Sequence, residues 1–334
     1  MNLPPIHAEP DSVPPAGWHR LTAFGLTIDC DWPLTGSQPV ATPSPDTVTR
    51  VTQVARATFD EAARADAERL LEYRDPTANA SGGPGGDISF TADRSSDHYR
   101  FWARDFGRYM VAVDGSWVAC ERDAVERERR ERFVLAHALP VAAILRGYEV
   151  LHVSAVSGAG GAVAFAGPSG TGKTGLATRL VARGAAFLTD DVLAVEAAEH
   201  DVLGHPGAPV MAIRSDDTVM LAEVDGRLGA AVGTSDKTHV SPPTRAGVSR
   251  LRAVYHLQWG DALAISPLPK GDLHRVLGLA FLPYLTTPER LVRHLTIAQL
   301  ISTNVLQFRL QTAGPELSDE MLALLEAHMH DPGL

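Results

Sequence analysis

The sequence predicts an α/β protein in two parts. A small, mostly antiparallel α+β domain is expected over residues 1–120, a connecting helix over residues 121–147, and a larger α/β domain over residues 148–334. In the first part, short segments of alternating apolar and polar residues lie between turn signals, which is typical of antiparallel sheet. In the second part, short apolar runs of strand length alternate with helical patterns, which favours an α/β fold.

The N-terminal domain follows a proline-rich arm over residues 1–17, which we expect to be loose. Alternation predicts its strands over residues 20–30, 49–55, 88–91, 98–103 and 109–120, the last with a turn at Asp114-Gly115. Residues 60–73 are predicted to be helical, because apolar residues recur on one side of the pattern and charged residues on the other. This domain holds no combination of side chains that indicates catalysis.

The connecting segment begins with a densely charged stretch, residues 121–132, in which acids alternate with arginines at helical spacing. This mixture predicts a solvated helix with ion pairs between successive turns, whereas a nucleic-acid patch would have mainly one sign of charge. The helix becomes apolar over residues 133–145, where Pro140 is expected to kink it, and Gly147 ends it.

The second domain opens with a predicted strand over residues 149–156, which carries His152, and a glycine-rich turn leads from it into a second apolar strand. The next loop fits the pattern G-x-x-x-x-G-K-[ST] at every fixed position, through Gly167, Pro168, Ser169, Gly170, Thr171, Gly172, Lys173 and Thr174. A helical pattern follows, and then a short strand over residues 185–188 that leads into Asp190 and Asp191.

These parts supply what a nucleotide triphosphate and a magnesium ion require. Glycines let successive main-chain N–H groups converge on phosphate oxygens, and the start of the helix adds further N–H groups and a positive dipole end. Lys173 can reach the β- and γ-phosphates, and the Thr174 hydroxyl can bind Mg²⁺. Of two neighbouring carboxylates, one can hold the metal while the other lies near an acceptor hydroxyl. The sequence therefore predicts ATP and Mg²⁺ as ligands.

The remainder of the second domain adds strands and helices around this motif. Strands are predicted over residues 192–195, 202–205, 210–213, 251–257, 262–265 and 305–310, and helices over residues 218–228, 272–279, 288–302 and 316–329. Residues 236–247 are predicted to be a polar loop, long enough to close over a site or to hold a substrate.

Composition argues against several classes of partner. The net charge of −10 disfavours nucleic acid and anionic membrane as main partners. The 2 cysteines provide neither a disulfide framework nor zinc-ligand spacing, which suits the cytoplasm. The N-terminal residues do not have the pattern of a signal peptide, and no apolar run is long enough to span a membrane.

Residues 151–191 resemble the HPr serine kinase/phosphorylase superfamily, and more closely the shorter HPr-kinase-like serine kinases found beside peptide-modification genes, including those of lasso peptides. The resemblance is carried by LHVSAV, by GPSGTGKT, and by a helix followed by a strand that ends in TDD, all in one register. A weaker similarity links AFGLTIDCDWPL to the N-terminal opening of those kinases. Phosphoenolpyruvate carboxykinases share this type of loop and aspartate pair but are longer. The chain departs from the family at Gly175, where HPr kinases usually carry Glu.

The resemblance implies a P-loop kinase domain of the HPr kinase/PEP carboxykinase type with active-site residues His152, Lys173, Thr174, Asp190 and Asp191. In it, Asp190 accepts the proton of the attacking hydroxyl and His152 orients that base. Thr174 and Asp191 hold Mg²⁺, and the two aspartates could exchange roles. Lys173 and the metal neutralise charge on the transferring phosphoryl group.

The segments with which HPr kinases carry out phosphorolysis and dock their carrier protein are not recognised here, so the resemblance implies neither HPr as substrate nor the reverse reaction. HPr kinases form hexamers, and a homo-oligomer is therefore compatible with the resemblance. The predicted function is an ATP-dependent kinase that phosphorylates a hydroxyl, most simply a serine of a small protein or peptide.

Two alternatives stay open. One is a kinase for a free hydroxy amino acid or another small metabolite. The other is a non-catalytic, ATP-gated module that binds a peptide. The second carboxylate of the Asp190-Asp191 pair argues against that module, because binding ATP alone does not require it.

Overall fold

A computed structural model describes residues 17–34, 48–62, 66–74, 88–214, 231–234, 237–242, 244–312, 314 and 318–330. The predicted α/β class is confirmed, because the described residues form a mixed α/β structure. The chain divides into two compact units, the first with Met1–Thr22, Leu26–Arg146 and Leu282–Thr286, and the second with Ala23–Gly25, Gly147–Phe281 and Thr287–Leu334. The helix predicted over residues 218–228 and all of the N-terminal arm except Gly17 lie outside the described residues.

The described part of the first unit is built on an eight-stranded sheet of order β1-β2-β3-β8-β7-β6-β5-β4. Its strands are β1 (His19–Ala23), β2 (Leu26–Cys30), β3 (Val48–Val54), β4 (Glu68–Arg74), β5 (Ile88–Arg94), β6 (His98–Ala103), β7 (Gly107–Ala112) and β8 (Trp117–Glu121). Strands β2, β3 and β8 run parallel, and the path from β8 to β4 is antiparallel throughout. This unit supplies none of the predicted site residues.

The helix predicted over residues 60–73 is wrong for most of its length. Helix α1 (Arg56–Ala62) covers only the start of this range, and Glu68–Arg74 form strand β4. Strand β4 pairs antiparallel with β5, with Leu71 opposite Ala92. Pairing with a distant segment therefore overrides a local helical pattern, which by itself is a weak signal.

The predicted connecting helix starts later than expected and changes its winding once. Helix α2 (Arg127–Phe133) continues through a π-helical turn (Val134–Ala138) into helix α3 (Leu139–Leu145). In that turn the Leu139 N–H donates to the Val134 carbonyl, five residues back. Pro140 follows this turn directly and has no N–H to donate. The irregularity that was predicted at Pro140 is therefore a π-helical turn just before it.

The described part of the second unit contains a nine-stranded mixed sheet, in which the path β12-β10-β11-β18-β14-β13-β9 is extended by β20 beside β18 and by β19 beside β20. A separate three-stranded sheet has the order β15-β17-β16. The strands are β9 (Glu149–Leu151), β10 (Ser154–Gly158), β11 (Gly161–Ala166), β12 (Ala186–Thr189), β13 (Leu193–Ala198), β14 (Asp201–His205), β15 (Met211–Arg214), β16 (Ala231–Thr234), β17 (Lys237–Val240), β18 (Ser249–Trp259), β19 (Ala264–Pro267) and β20 (Leu306–Thr312).

Helices cover both faces of the large sheet. These are α4 (Lys173–Ala182), α5 (Leu273–Leu277), α6 (Pro288–Asn304) and α7 (Asp319–His330). On one face, α4 and α7 share a core with Phe165 and Tyr255. On the other face, α5 and α6 pack on the alanines of β11 and on Val254. None of the helices described is both long and apolar enough to cross a membrane.

Two further predictions for this unit need correction. The strand predicted over residues 149–156 is interrupted at His152 and Val153, because β9 pairs with β13 whereas β10 pairs with β11 and β12. The polar loop predicted over residues 236–247 instead contains strand β17, which pairs with β15. Both differences arise from pairing partners that are distant in the sequence.

Candidate active site

The predicted phosphate loop lies between strand β11 and helix α4, in the strand–loop–helix context that the motif requires. Gly167, Gly170 and Gly172 have φ values of +153°, +84° and +94°, which side chains other than glycine rarely adopt. A Cβ atom on Gly167 would lie 2.9 Å from both the Leu257 carbonyl oxygen and Thr171 Oγ1. Gly172 precedes α4 without a side-chain cap, so the first N–H groups of the helix stay available to another acceptor.

Lys173 lies folded back into this loop. Its Nζ donates to the carbonyl oxygens of Gly167, at 2.8 Å, and Pro168, at 3.3 Å. The side chain is buried, and burial lowers the pKa of Lys173 while the charges of Asp191 and Asp190 oppose that shift. Among the described residues, this ammonium group bonds only to neutral carbonyls, and its place inside a loop of N–H donors suits an anionic ligand.

The Asp190 carboxylate is held by three donors from three separate segments. Its Oδ1 accepts from Thr174 Oγ1 at 2.7 Å and from Ser154 Oγ at 3.0 Å. Its Oδ2 accepts from the Ala212 main-chain N–H at 3.1 Å. Burial, followed by the charge of Asp191, raises the pKa of Asp190 to about 6, and the three hydrogen bonds limit that rise. The three hydrogen bonds fix the orientation of the Asp190 carboxylate.

Asp191 differs from its neighbour in backbone and surroundings. Its φ of +63° places it in the left-handed region, which a non-glycine residue enters at a cost of about 1 kcal/mol or more. Its main-chain N–H lies 3.5 Å from Ser154 Oγ, and no group among the described residues donates to its carboxylate. The carboxylate of Asp191 is consequently the more available of the pair.

Ser154 is a site residue that the sequence reasoning missed as a functional group. Its side chain is fully buried, and its hydroxyl donates to Asp190 and lies next to the Asp191 N–H. Ser154 begins strand β10 opposite Phe165, and Ala155 pairs with Thr189 at the end of β12. The only signal in the sequence was its position two residues after His152.

His152 lies at the interruption between β9 and β10. Its main-chain N–H donates to the Leu279 carbonyl at 2.7 Å, and its ring stacks on Phe281 with 5.9 Å between centroids and 12° between planes. Burial, and then the charge of Lys173, lowers the pKa of His152 despite opposing contributions from Asp191. The imidazole is therefore neutral at pH 7, and among the described residues nothing bonds to its Nδ1.

Arg245 lies beside Phe187 of strand β12. Residues on either side of it bond to the main chain of Phe187, and its Nη2 donates to the Gly207 carbonyl at 2.9 Å. Gly207 is so close to Thr189 that a Cβ on it would lie 2.1 Å from the Thr189 hydroxyl oxygen. Burial lowers the pKa of Arg245, and no described residue bonds to its Nε. The sequence had indicated only a polar loop in this region.

The donors at this site suit magnesium better than a transition metal. They are a hydroxyl, Thr174, and two carboxylates, Asp190 and Asp191, which are the hard oxygen ligands that Mg²⁺ takes together with phosphate oxygens and water. Across the part of the chain that the structure describes, no three His, Cys, Asp or Glu side chains gather into a metal-binding cluster. Mg²⁺ bound here would therefore depend on the nucleotide for part of its coordination.

Comparisons with known proteins add little to this picture. No protein-family model matches the chain, and no curated protein matches it. Among solved structures, the chain is similar to the HPr(Ser) kinase/phosphatase from Coxiella burnetii, with a TM-score of 0.32 and 13% sequence identity over 54% of this chain and 96% of that one. A similarity at this level leaves the function to be inferred from the residues of the site.

Proposed function

We propose that this chain is an ATP-dependent kinase of the HPr-kinase-like type, which transfers the γ-phosphoryl group to a hydroxyl, a serine of a protein or peptide. One observation carries the proposal. The Thr174 hydroxyl, at the start of the helix that follows the phosphate loop, donates to Asp190, and a second carboxylate follows at Asp191. A glycine-rich loop alone indicates binding, whereas the added carboxylate pair supplies both a metal ligand and a base.

The nucleotide would be held by the main chain of the loop and by Lys173. Loop N–H groups and the first turn of α4 bind the phosphate oxygens. Lys173 would exchange its bonds to the Gly167 and Pro168 carbonyls for bonds to the β- and γ-phosphates. The bonds to phosphate are stronger, because they join a positive and a negative group.

The contacts favour an exchange of the roles first expected for the aspartates. Asp190 bonds to Thr174, the hydroxyl expected to bind the metal, so we assign Asp190 and Thr174 to the Mg²⁺ site. Asp191, whose carboxylate accepts no hydrogen bond from a described residue, is then the base. When bound, Mg²⁺ supplies positive charge that offsets the charge on the phosphate oxygens.

In the transfer, the acceptor oxygen forms a bond to the γ-phosphorus, and the bond from that phosphorus to the β–γ bridging oxygen breaks, which releases ADP. The hydroxyl proton passes to the Asp191 carboxylate. Neutral His152, close to Asp191 and stacked on Phe281, orients that carboxylate or the acceptor through a ring nitrogen. Lys173 stabilises negative charge on the transferring group and on ADP.

The test measures ADP release and phosphate incorporation from [γ-³²P]ATP, with and without serine peptides, free serine and other small hydroxy compounds. We expect acceptor-dependent ADP release that Lys173→Ala abolishes. Lys270→Ala, which removes an exposed lysine on a turn, should behave as wild type and is the matched control. Tight ATP binding without transfer to any acceptor would instead favour the ATP-gated binding module. Unchanged activity in Lys173→Ala would contradict the site.

A further inference from the structure

Four strands of the large sheet end at the edge that carries the predicted phosphate loop. Strands β11, β18 and β20 run parallel to one another. Strand β10 is antiparallel to both β11 and β12, so β12 also runs in that direction. In open α/β sheets, ligands bind beyond the carboxyl ends of the strands. Along this edge, β12 leads into Asp190 and Asp191, β11 leads into the loop, and β18 ends at Trp259.

This order of strands determines what a bound nucleotide has beside it. In the proposed function, the γ-phosphate lies next to the aspartates, on the β12 side of the loop. The α-phosphate and the nucleoside then lie on the other side of the loop, where the neighbouring strand is β18. Adjacent strands are about 4.8 Å apart. The carboxyl end of β18 is therefore within reach of a nucleoside whose phosphates occupy the loop.

Trp259 lies just beyond the point where β18 contacts the loop. A Cβ atom on Gly167 would lie 3.4 Å from the Cβ atom of Leu257. Strand β18 keeps an unbroken register with β20 from Ala253 to Trp259, so alternate side chains point to the same face. Trp259 therefore shares the face of Leu257 and lies about 6.6 Å farther along the strand. On that face Leu257 packs in one core with Leu176 of helix α4, the helix that follows the loop.

The Trp259 side chain is exposed, whereas its main chain is held in the sheet. Trp259 is 59% exposed, and among the described residues it is the one exposed large aromatic residue of the second unit. It pairs with Thr312, which is buried, and the Gly260 N–H donates to the Thr312 carbonyl at 3.0 Å. A flat ring on a fixed strand end offers a nucleobase a stacking surface at a small cost in conformational entropy.

We propose that the nucleobase of the bound nucleoside triphosphate stacks on the indole of Trp259. The inference rests on the proposed function and adds to it a binding residue outside the phosphate loop. Stacking uses the face of the base, and every base has such a face. Trp259 therefore contributes affinity and holds the nucleoside in place, and it does not by itself select adenine.

The first test uses the fluorescence of the protein itself. The chain contains 5 tryptophans, and Trp259 is the only one beyond residue 120. We expect saturating Mg-ATP to quench part of the wild-type emission, because a base stacked on the indole is in direct contact with it. The Trp259→Phe variant should lose this quenching, and inorganic tripolyphosphate, which carries no base, should quench neither protein. Equal quenching by ATP in wild type and Trp259→Phe would contradict stacking on Trp259.

The second test measures dissociation constants of Mg-ATP and of magnesium tripolyphosphate by calorimetry. Trp259→Ala should raise the constant for ATP about 5- to 50-fold, the range that base–aromatic stacking contributes, and should leave the constant for tripolyphosphate within about twofold. Val248→Ala is the matched control, because Val248 is 55% exposed and precedes the opposite end of the same strand. It should bind both ligands as wild type does. Equal ATP affinity in wild type and Trp259→Ala would overturn the inference and leave the proposed function in place.

The remaining outcomes separate this inference from its alternatives. If Trp259→Ala also loses tripolyphosphate binding, the variant has disturbed the loop, and the fluorescence of Trp259→Phe decides instead. A wild-type dimer that Trp259→Ala converts to a monomer with unchanged ATP affinity would place the indole between two copies of the chain, which overturns the inference. A wild-type protein that binds neither ATP nor tripolyphosphate would refute the proposed function, and the inference would fall with it.

Discussion

Replacing each aspartate by asparagine should impair the protein in two different ways. Asp190 accepts three hydrogen bonds and faces Thr174, whereas the carboxylate of Asp191 accepts none from the described residues. If Asp190 holds the metal and Asp191 is the base, Asp190→Asn should change the magnesium requirement. Asp191→Asn should lower turnover at saturating magnesium.

The contacts of Asp190 indicate the size of the first effect. In Asp190→Asn the amide oxygen can accept from the Ala212 N–H, and the amide nitrogen can donate to the hydroxyls of Ser154 and Thr174, because hydroxyl groups rotate. The free energy of unfolding should therefore change by only about 1 kcal/mol. The loss of one charged ligand should raise the Mg²⁺ concentration for half-maximal rate about 10- to 100-fold, equivalent to about 1.4–2.8 kcal/mol.

Asp191→Asn removes the proton acceptor and leaves the metal ligands in place. Turnover should fall about 10²- to 10⁴-fold, the range that a general base commonly contributes. The Mg²⁺ concentration for half-maximal rate and the dissociation constant for ATP should stay within about twofold of wild type, since neither depends on proton transfer.

The assay titrates Mg²⁺ against turnover and against binding of a fluorescent ATP analogue for both variants. Asp201→Asn, which removes a partly exposed carboxylate that pairs with Arg250, is the matched control. Exchanged phenotypes would return the base to Asp190 and the metal to Asp191. Full phosphorylation by both variants would refute the reasoning and the kinase assignment with it.

Three further predictions concern the supports of the site, its metal and the first unit. Ser154→Ala should lower turnover about 10- to 100-fold with an unchanged KM for ATP, since the Ser154 hydroxyl orients the aspartate pair. Ser157→Ala on the same strand, which removes a hydroxyl that bonds to Ser249, should have no effect. Equal losses of turnover in the two variants would indicate that Ser154 has a purely structural role. Chelation with EDTA should abolish activity, and Mg²⁺ or Mn²⁺ should restore it; activity that survives chelation would contradict the metal site. Burial lowers the pKa of His137 to about 3, so below pH 6.5 the unfolded state binds more protons at this residue than the folded state does. Between pH 6.5 and 5 this difference should lower the free energy of unfolding by about 2 kcal/mol. Denaturant titrations should therefore show that His137→Gln loses less stability than wild type over this range, by about that amount.

The strand–loop–helix arrangement around the predicted phosphate loop could be predicted from the sequence because all its parts are contiguous. The strand, the glycine-rich turn and the start of the helix follow one another in the sequence. The positive φ values of Gly167, Gly170 and Gly172 are a local requirement, which glycine can satisfy whatever the surrounding fold. For the same reason the buried strands of the second unit and helices α4, α6 and α7 were expected close to where they lie. The type of kinase domain and the roles of the site residues stay predictions.

Where a local pattern of residues and long-range strand pairing favour different structures, the prediction from the sequence was wrong. Strand β4 belongs to a stretch in which alanines and leucines recur with a helical pattern, yet its residues pair with β5. The run that contains His152 has the pattern of one continuous strand, yet its two halves join different neighbours and leave the histidine at the interruption between them. In each case the deciding hydrogen bonds come from segments remote in the sequence, which periodicity does not report.

The surroundings of the aspartates depended entirely on the tertiary structure. Ser154 and Ala212 lie 36 and 22 residues from Asp190 in the sequence, and only the meeting of β10, β12 and β15 brings their donors to its carboxylate. By itself the sequence determined that two carboxylates follow a glycine-rich loop that fits the phosphate-binding pattern. The fold decided which carboxylate is fixed beside Thr174, because donors from three separate segments converge on Asp190, whereas no described residue donates to the Asp191 carboxylate.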